Sequence, residues 1–150
     1  MRSVALVTLQ LALIALLLKS LPREWPPWAA LALLAVAGVL GIWTLAMNRP
    51  GNFNIRPEVK SGARLVTTGP YRYVRHPMYV CILLAGVATL LWRPAWWRLG
   101  VLGALAIVLH VKSGIEERAM LKVHPDYASY RARTARWIPF VRRRARPTRA

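Results

Sequence analysis

The chain has 150 residues, is 56% hydrophobic, and carries 22 Lys+Arg against 5 Asp+Glu, for a formal net charge of +17. The length argues for one domain, 1–150. A nucleic-acid binder can be this basic, but it would not also hold long uncharged apolar runs with the basic residues crowded outside them, so nucleic acid is excluded as a partner and a membrane protein with cationic flanks is indicated.

The first apolar run is Val4 to Leu18, interrupted only by Thr8 and Gln10. It is short for a span, roughly 22 Å of helix. Lys19 can snorkel and extend it through Leu21. A signal peptide is the competing reading. The start is only weakly positive and no small-x-small cleavage site follows, which favours an uncleaved helix. Trp28 to Met47 is twenty residues without a charge, the length a hydrocarbon core requires. Pro26 and Pro27 stand where a helix starts. Trp25, Trp28 and Trp43 suit the interfaces.

The segment Asn48 to Arg75 is rich in Pro, Gly and Asn at its start and is expected to be a shaped loop. Its length is that of a functional or disordered connection, and Phe53, Ile55, Val59, Leu65 and Val66 argue against simple disorder. Pro77 to Trp92 is sixteen uncharged residues, opened by a proline whose missing N–H costs nothing in a first helical turn. Arg93-Pro94 breaks it. Ala95 to Val111 follows, with Arg98 able to snorkel near its start. These two runs form a helical hairpin. Helical spacing continues past Val111 to Lys122, and His124-Pro125 ends it. On that extension His110, Ser113 or Gly114, and Glu117 share a face. The lone cysteine, Cys81, permits no internal disulfide and reads as a small buried hydrophobe.

The expected fold is therefore an all-α integral membrane helical bundle of about four transmembrane helices. Its parts are an N-terminal two-helix part (1–47), a loop, hairpin and cytoplasmic tail (48–140), and a basic tail (141–150). Six Lys/Arg lie in Asn48 to Arg75 and eleven from Lys112 onward, against Lys19, Arg23, Arg93 and Arg98 on the opposite loops. The positive-inside rule puts both termini and the middle loop in the cytoplasm. The tail Arg142-Arg143-Arg144-Ala145-Arg146 suits anionic lipid headgroups.

Two segments concentrate polar chemistry at the membrane edge. One is Gly69-Pro70-Tyr71-Arg72-Tyr73-Val74-Arg75-His76-Pro77-Met78-Tyr79, directly before the third run. The other is Glu116-Glu117, two of the five acids in the chain, followed by Tyr127-Ala128-Ser129-Tyr130 and a basic stretch from Arg133 to Pro139. Charge in such places is costly and is usually kept for a reason. An ordinary reading of either glutamate is an ion pair with Arg75, Arg118 or a tail arginine. In order and spacing, over about residues 48 to 140, the two segments resemble the signature of the isoprenylcysteine carboxyl methyltransferase family, shared with phospholipid N-methyltransferases and small bacterial membrane methyltransferases. The chain departs from that pattern at Cys81, Met120 and His124, where the family often has Gly, Leu and Phe.

The resemblance implies S-adenosylmethionine as methyl donor, S-adenosylhomocysteine as product, and a cytoplasmic cofactor pocket. The residues it marks for the cofactor are Tyr71, Arg75, His76, Pro77, Tyr79, Glu116 and Glu117, with His76 and Arg75 also as catalytic candidates. The residue types make sense of the ligand. Glu117 or Glu116 can pair with its amine, Arg75 can fork onto its carboxylate, and Tyr71, Tyr73, Tyr79 and Trp137 can wall the adenine. No glycine-rich fingerprint follows a strand. Displacement at a sulfonium needs alignment and a dry site more than covalent help. His76 could take the proton of an amine or thiol acceptor, whereas a carboxylate acceptor needs no base. His110 and His124 flank the acidic pair without a recognised zinc spacing, so no metal is expected. The expected function is methyl transfer to a lipophilic or small acceptor (carboxylate, amine or thiol) at the cytoplasmic face of a bacterial inner membrane. The alternative is a non-enzymatic basic adaptor that binds anionic lipid or partner proteins. It does not account for the acidic pair, and the two readings are separated by whether Arg75 and Glu117 meet.

Overall fold

The computed structural model describes residues 2–19, 21, 24–48 and 64–139. Most of the middle loop (49–63) and the basic tail expected to touch anionic lipid lie outside the described residues. Among the described residues the chain is all-helical, with no β-strand. Its helices are α1 (Arg2–Lys19), α2 (Trp28–Met47), α3 (Pro77–Trp92), α4 (Trp96–Val123) and the short α5 (Tyr127–Arg133), with a 3-10 turn at Gly69–Arg72 before α3.

Each boundary has a local cause. Pro27, in extended backbone, precedes the first residue of α2. Pro77 opens α3, a position that wastes no backbone donor. The extended residues Arg93 and Ala95 separate α3 from α4. His124, also extended, stops α4, since the residue before Pro125 is pushed out of the helical region. Gly69 adopts φ +60°, and a Cβ there would lie 2.5 Å from Met47 Cγ. Only glycine fits this corner, which turns the chain beneath the end of α2 and into the motif segment.

Two helices, Trp28–Met47 and Trp96–Val123, are long and apolar enough to cross a membrane. Val4–Lys19 and Pro77–Trp92 are apolar but shorter, about 24 Å each by the helical rise. Of the expected count of about four spans, length and composition support two. The helices pack chiefly as α2 on α3 and α1 on α4, with α3 against α4 between them. The core is Leu17, Tyr79, Leu105 and Leu109, joined by Leu13, Ile14, Ile82, Leu83, Val101 and Trp137. Apolar side chains also cover the outside: Val39 is 68% exposed, Ile42 71% and Ile107 67%. An outer surface this apolar suits lipid, not water. Gly86 lets α3 approach α4, since a Cβ there would meet Leu102 Cδ1 at 2.6 Å. Cys81 is buried, as its place in an apolar run suggested, and its thiol donates to the Pro77 carbonyl at 3.2 Å.

Arg98 departs from expectation. It does not snorkel outward but is fully buried. Nη1 donates to the Thr89 carbonyl at 2.9 Å, and the guanidinium lies 5.2 Å from the Trp97 ring. The tight hairpin explains the difference: it brings Arg98 to the last turn of α3, where its guanidinium shares the Thr89 carbonyl with the backbone N–H of Arg93.

Candidate functional site

The two motif segments meet directly. Arg75 precedes α3 and Glu117 lies late in α4. Arg75 Nε donates to Glu117 Oε1 at 3.0 Å, and its Nη2 is 3.0 Å from the same oxygen. Arg75 Nη1 donates to the Arg131 carbonyl at 3.1 Å and also to the Thr134 carbonyl. The fork assigned from sequence to a cofactor carboxylate is thus engaged by Glu117 and two backbone carbonyls. Arg136 adds a two-point pair to Glu117, and Arg131 Nε approaches Oε2 to 3.4 Å. Glu117, almost fully buried, is therefore ringed by three guanidiniums and His76. Such burial requires pairing on this scale, because an uncompensated carboxylate in a low-dielectric setting costs several kcal/mol.

His76 stands between both acids. Nε2 is 3.2 Å from Glu117 Oε1 and Nδ1 is 3.4 Å from Glu116 Oε2. Burial opposes its charged form, but hydrogen bonds and charge from Glu116 and Glu117 outweigh that and raise its pKa above the ordinary histidine value. A ring with a carboxylate at each nitrogen is favoured doubly protonated. The His76 ring stacks on Tyr79 at 5.3 Å between centroids, and the Tyr79 hydroxyl donates to Glu116 Oε1. Glu116 keeps 22% of its side chain exposed against 2% for Glu117. Of the two carboxylates it is the one with an open side.

The remaining motif positions support this cluster. The Tyr71 hydroxyl is pushed up to about 12 by burial, then by the charge of Glu116 and the proximity of Cys81, so it stays a neutral donor. The Tyr71 carbonyl accepts from Tyr130 Oη at 2.7 Å, which ties the 3-10 turn to α5. Burial likewise raises the Tyr127 and Tyr130 hydroxyls. Pro77 is buried at the start of α3. Tyr73, a sequence candidate for an adenine wall, is half exposed, and Trp137 packs on the core with an edge contact to His110.

A backbone strap holds the second segment against the first. Val74 and Ala135 form an isolated parallel bridge, with Arg75 N donating to the Ala135 carbonyl at 2.8 Å and His76 N to the Arg136 carbonyl at 3.2 Å. This strap delivers Arg131, Thr134 and Arg136, which were not singled out from sequence. Their signal was present as the basic stretch after Tyr-x-x-Tyr. Lys112 and Gln10 were also missed, although each is the lone amine or amide in an apolar stretch. Among the described residues, no group of three or more His, Cys, Asp or Glu could hold a metal ion.

The chain is 32% identical over 114 residues to the nickel-cobalt-cadmium resistance protein NccN of Alcaligenes xylosoxydans xylosoxydans, covering 75% of this chain and 52% of the relative. It is 38% identical over 77 residues to the cobalt-zinc-cadmium resistance protein CzcN of Cupriavidus metallidurans, covering 50% of this chain and 35% of the relative. It thus spans about half the length of the first relative and about a third of the second. The model of the phospholipid methyltransferase family matches residues 25–126, a range that holds α2, α3, α4, Arg75, His76, Glu116 and Glu117 but not Arg131 or Arg136, and the chain belongs to that family of membrane methyltransferases.

Proposed function

We propose that the chain is an S-adenosylmethionine-dependent methyltransferase of the bacterial inner membrane, acting on a lipophilic or small acceptor from the cytoplasmic side. In this reading all four long helices are embedded, the two shorter ones with help from flanking residues. Both termini face the cytoplasm, and basic residues outside the helices touch anionic headgroups. The observation that carries the proposal is the meeting of Arg75, His76 and Tyr79 with Glu116 and Glu117, about forty residues away in sequence, in one largely buried cluster.

The donor set fits the cofactor's two charged ends. Glu116, with its open side, takes the ammonium. Arg131 and Arg136, 40% and 22% exposed, have guanidinium faces to offer a carboxylate. Glu117 serves as the buried anchor that aims Arg75, Arg131 and Arg136. Tyr71 and Tyr79 supply aromatic surface beside the acids. When bound, the cofactor supplies a methyl group on a sulfonium, open to in-line displacement. The protein's share is to hold the acceptor in line, a contribution of roughly 7–11 kcal/mol at best, and to keep water out at the lipid boundary. His76, held between two carboxylates, donates hydrogen bonds and fixes both acids. The acceptor needs no base if it is a carboxylate, and an amine or thiol leaves its proton in bulk water before it enters the dry site.

The test is transfer of radiolabelled methyl from S-adenosylmethionine into a bacterial lipid extract by the purified protein, with Glu116→Gln as control. Label in organic-soluble product that falls at least tenfold in the variant supports the reading. Label that is independent of the protein, or equal in the variant, overturns it.

A further inference from the structure

Lys112 lies in α4 one turn before Glu116 and is only 3% exposed. Its ammonium donates to Gln10 Oε1 of α1 at 3.0 Å, and Gln10 is itself buried. The same ammonium sits 5.4 Å from the centroid of the Tyr79 ring, and the Tyr79 hydroxyl donates a hydrogen bond to Glu116 Oε1. Four residues from three helices thus form one buried line: Gln10, Lys112, Tyr79, Glu116.

An ammonium inside an apolar bundle is costly, and such charges mark function more often than packing. Stability gives no reason for the Lys112–Gln10 pair, because replacing both members of a buried polar pair by apolar side chains of similar volume is commonly neutral or stabilising. Nor does it snorkel, since its head points inward to an amide on another helix. Its placement has three effects on Glu116. A cation over the ring face is held there by the ring quadrupole and so fixes the plane of Tyr79. It draws electron density from the phenol and strengthens the hydroxyl's donation to Glu116. From one helical turn away its charge also attracts the Glu116 carboxylate along α4. Gln10 fixes the ammonium for both contacts, and in a dry setting its amide oxygen is a strong acceptor for a cation.

We propose that Lys112 is a positioning residue that sets Glu116 through Tyr79, and that Gln10, by holding Lys112, makes the first helix part of the site. This rests on the methyltransferase reading, in which Glu116 receives the cofactor's ammonium. Lys112 touches neither cofactor nor acceptor.

The test is calorimetric titration of S-adenosylhomocysteine into the full chain in detergent, for wild type, Lys112→Met, Gln10→Leu, the double variant and Lys112→Arg, with thermal unfolding of each. Lys112→Met is expected to raise Kd about tenfold through the loosened Glu116, and the double variant, which strands no buried polar atom, keeps the wild-type melting temperature or exceeds it. Gln10→Leu raises Kd in the same direction. The double variant is no worse than Lys112→Met, because the two residues act in series. Lys112→Arg, which keeps the charge, falls between wild type and Lys112→Met. Variants that bind like wild type, lose binding only in step with melting temperature, or combine multiplicatively overturn the inference while leaving the methyltransferase reading intact. Wild type that binds nothing overturns both.

Discussion

Arg136 and Glu117 meet as a two-point fork, Nε to Oε1 at 3.0 Å and Nη2 to Oε2 at 2.8 Å. Nineteen residues separate them, and the fork fastens the strap after α5 to the end of α4. Because Arg75, Arg131 and His76 converge on the same carboxylate, Glu117 is the anion on which the cationic cluster is built.

Removing that anion strands several cations in a largely buried place. Glu117→Gln is expected to lower stability by about 3–5 kcal/mol, the usual cost of breaking a buried pair from one side. Arg136→Met leaves Glu117 with three cationic partners, and the arginine is partly exposed, so it should cost only about 1 kcal/mol. Equilibrium unfolding in detergent checks the order. Equal losses would mean that Glu117 is not the shared anchor.

The pH dependence follows from His76. Its folded-state pKa is raised: burial opposes the charge, but the two neighbouring glutamates outweigh burial. The stabilisation is therefore fully present below the unfolded-state value of about 6.5 and is lost as pH rises through the higher folded-state value. Melting temperature should fall as pH is taken upward from about 6.5, and Glu116 and Glu117 should then be less well paired. His76→Gln keeps hydrogen-bonding capacity without titrating and should flatten that slope. A wild-type profile already flat over this range would remove the charged imidazole from the account.

Gly69→Ala probes the corner that feeds the motif. The substitution must hold a Cβ at φ +60° and displace the Met47 side chain. The left-handed backbone alone costs roughly 1–2 kcal/mol, and the contact adds to it. Pairing Gly69→Ala with Met47→Ala should recover the steric part and leave the backbone part, which thermal unfolding of the single and double variants can separate.

Much of this was legible before any coordinates. The bounds of α2 and α3 follow from uncharged runs closed by Pro27, Asn48, Pro77 and Arg93. The end of α4 follows from His124-Pro125. That Arg75 and His76 would meet the acidic pair was implied by the family resemblance, while the flanking positions alone left it open. The other partners of Glu117 were not legible. Arg131 and Arg136 arrive through the Val74–Ala135 bridge, a long-range pairing with no local sequence signal, and one basic residue in a basic stretch looks like another. Arg98 misled for the complementary reason: whether it snorkels depends on which carbonyls the hairpin brings within its reach, and only the packed helices decide that it meets Thr89.

Tyr130→Phe isolates the link between α5 and the 3-10 turn. It removes one hydroxyl donor at 2.7 Å from the Tyr71 carbonyl and changes little volume. The expected loss is about 1 kcal/mol, the net worth of a typical hydrogen bond. A clearly larger loss would show that Tyr71 depends on this bond for its place beside Glu116.

The most direct measurement is calorimetric binding of S-adenosylhomocysteine to the wild-type chain and to Glu116→Gln. Saturable binding by wild type, weakened about tenfold or more by loss of the open carboxylate, is the expected result. No binding to wild type, or equal binding to both, would contradict the assignment of the Arg75–His76–Glu116–Glu117 cluster as the cofactor site.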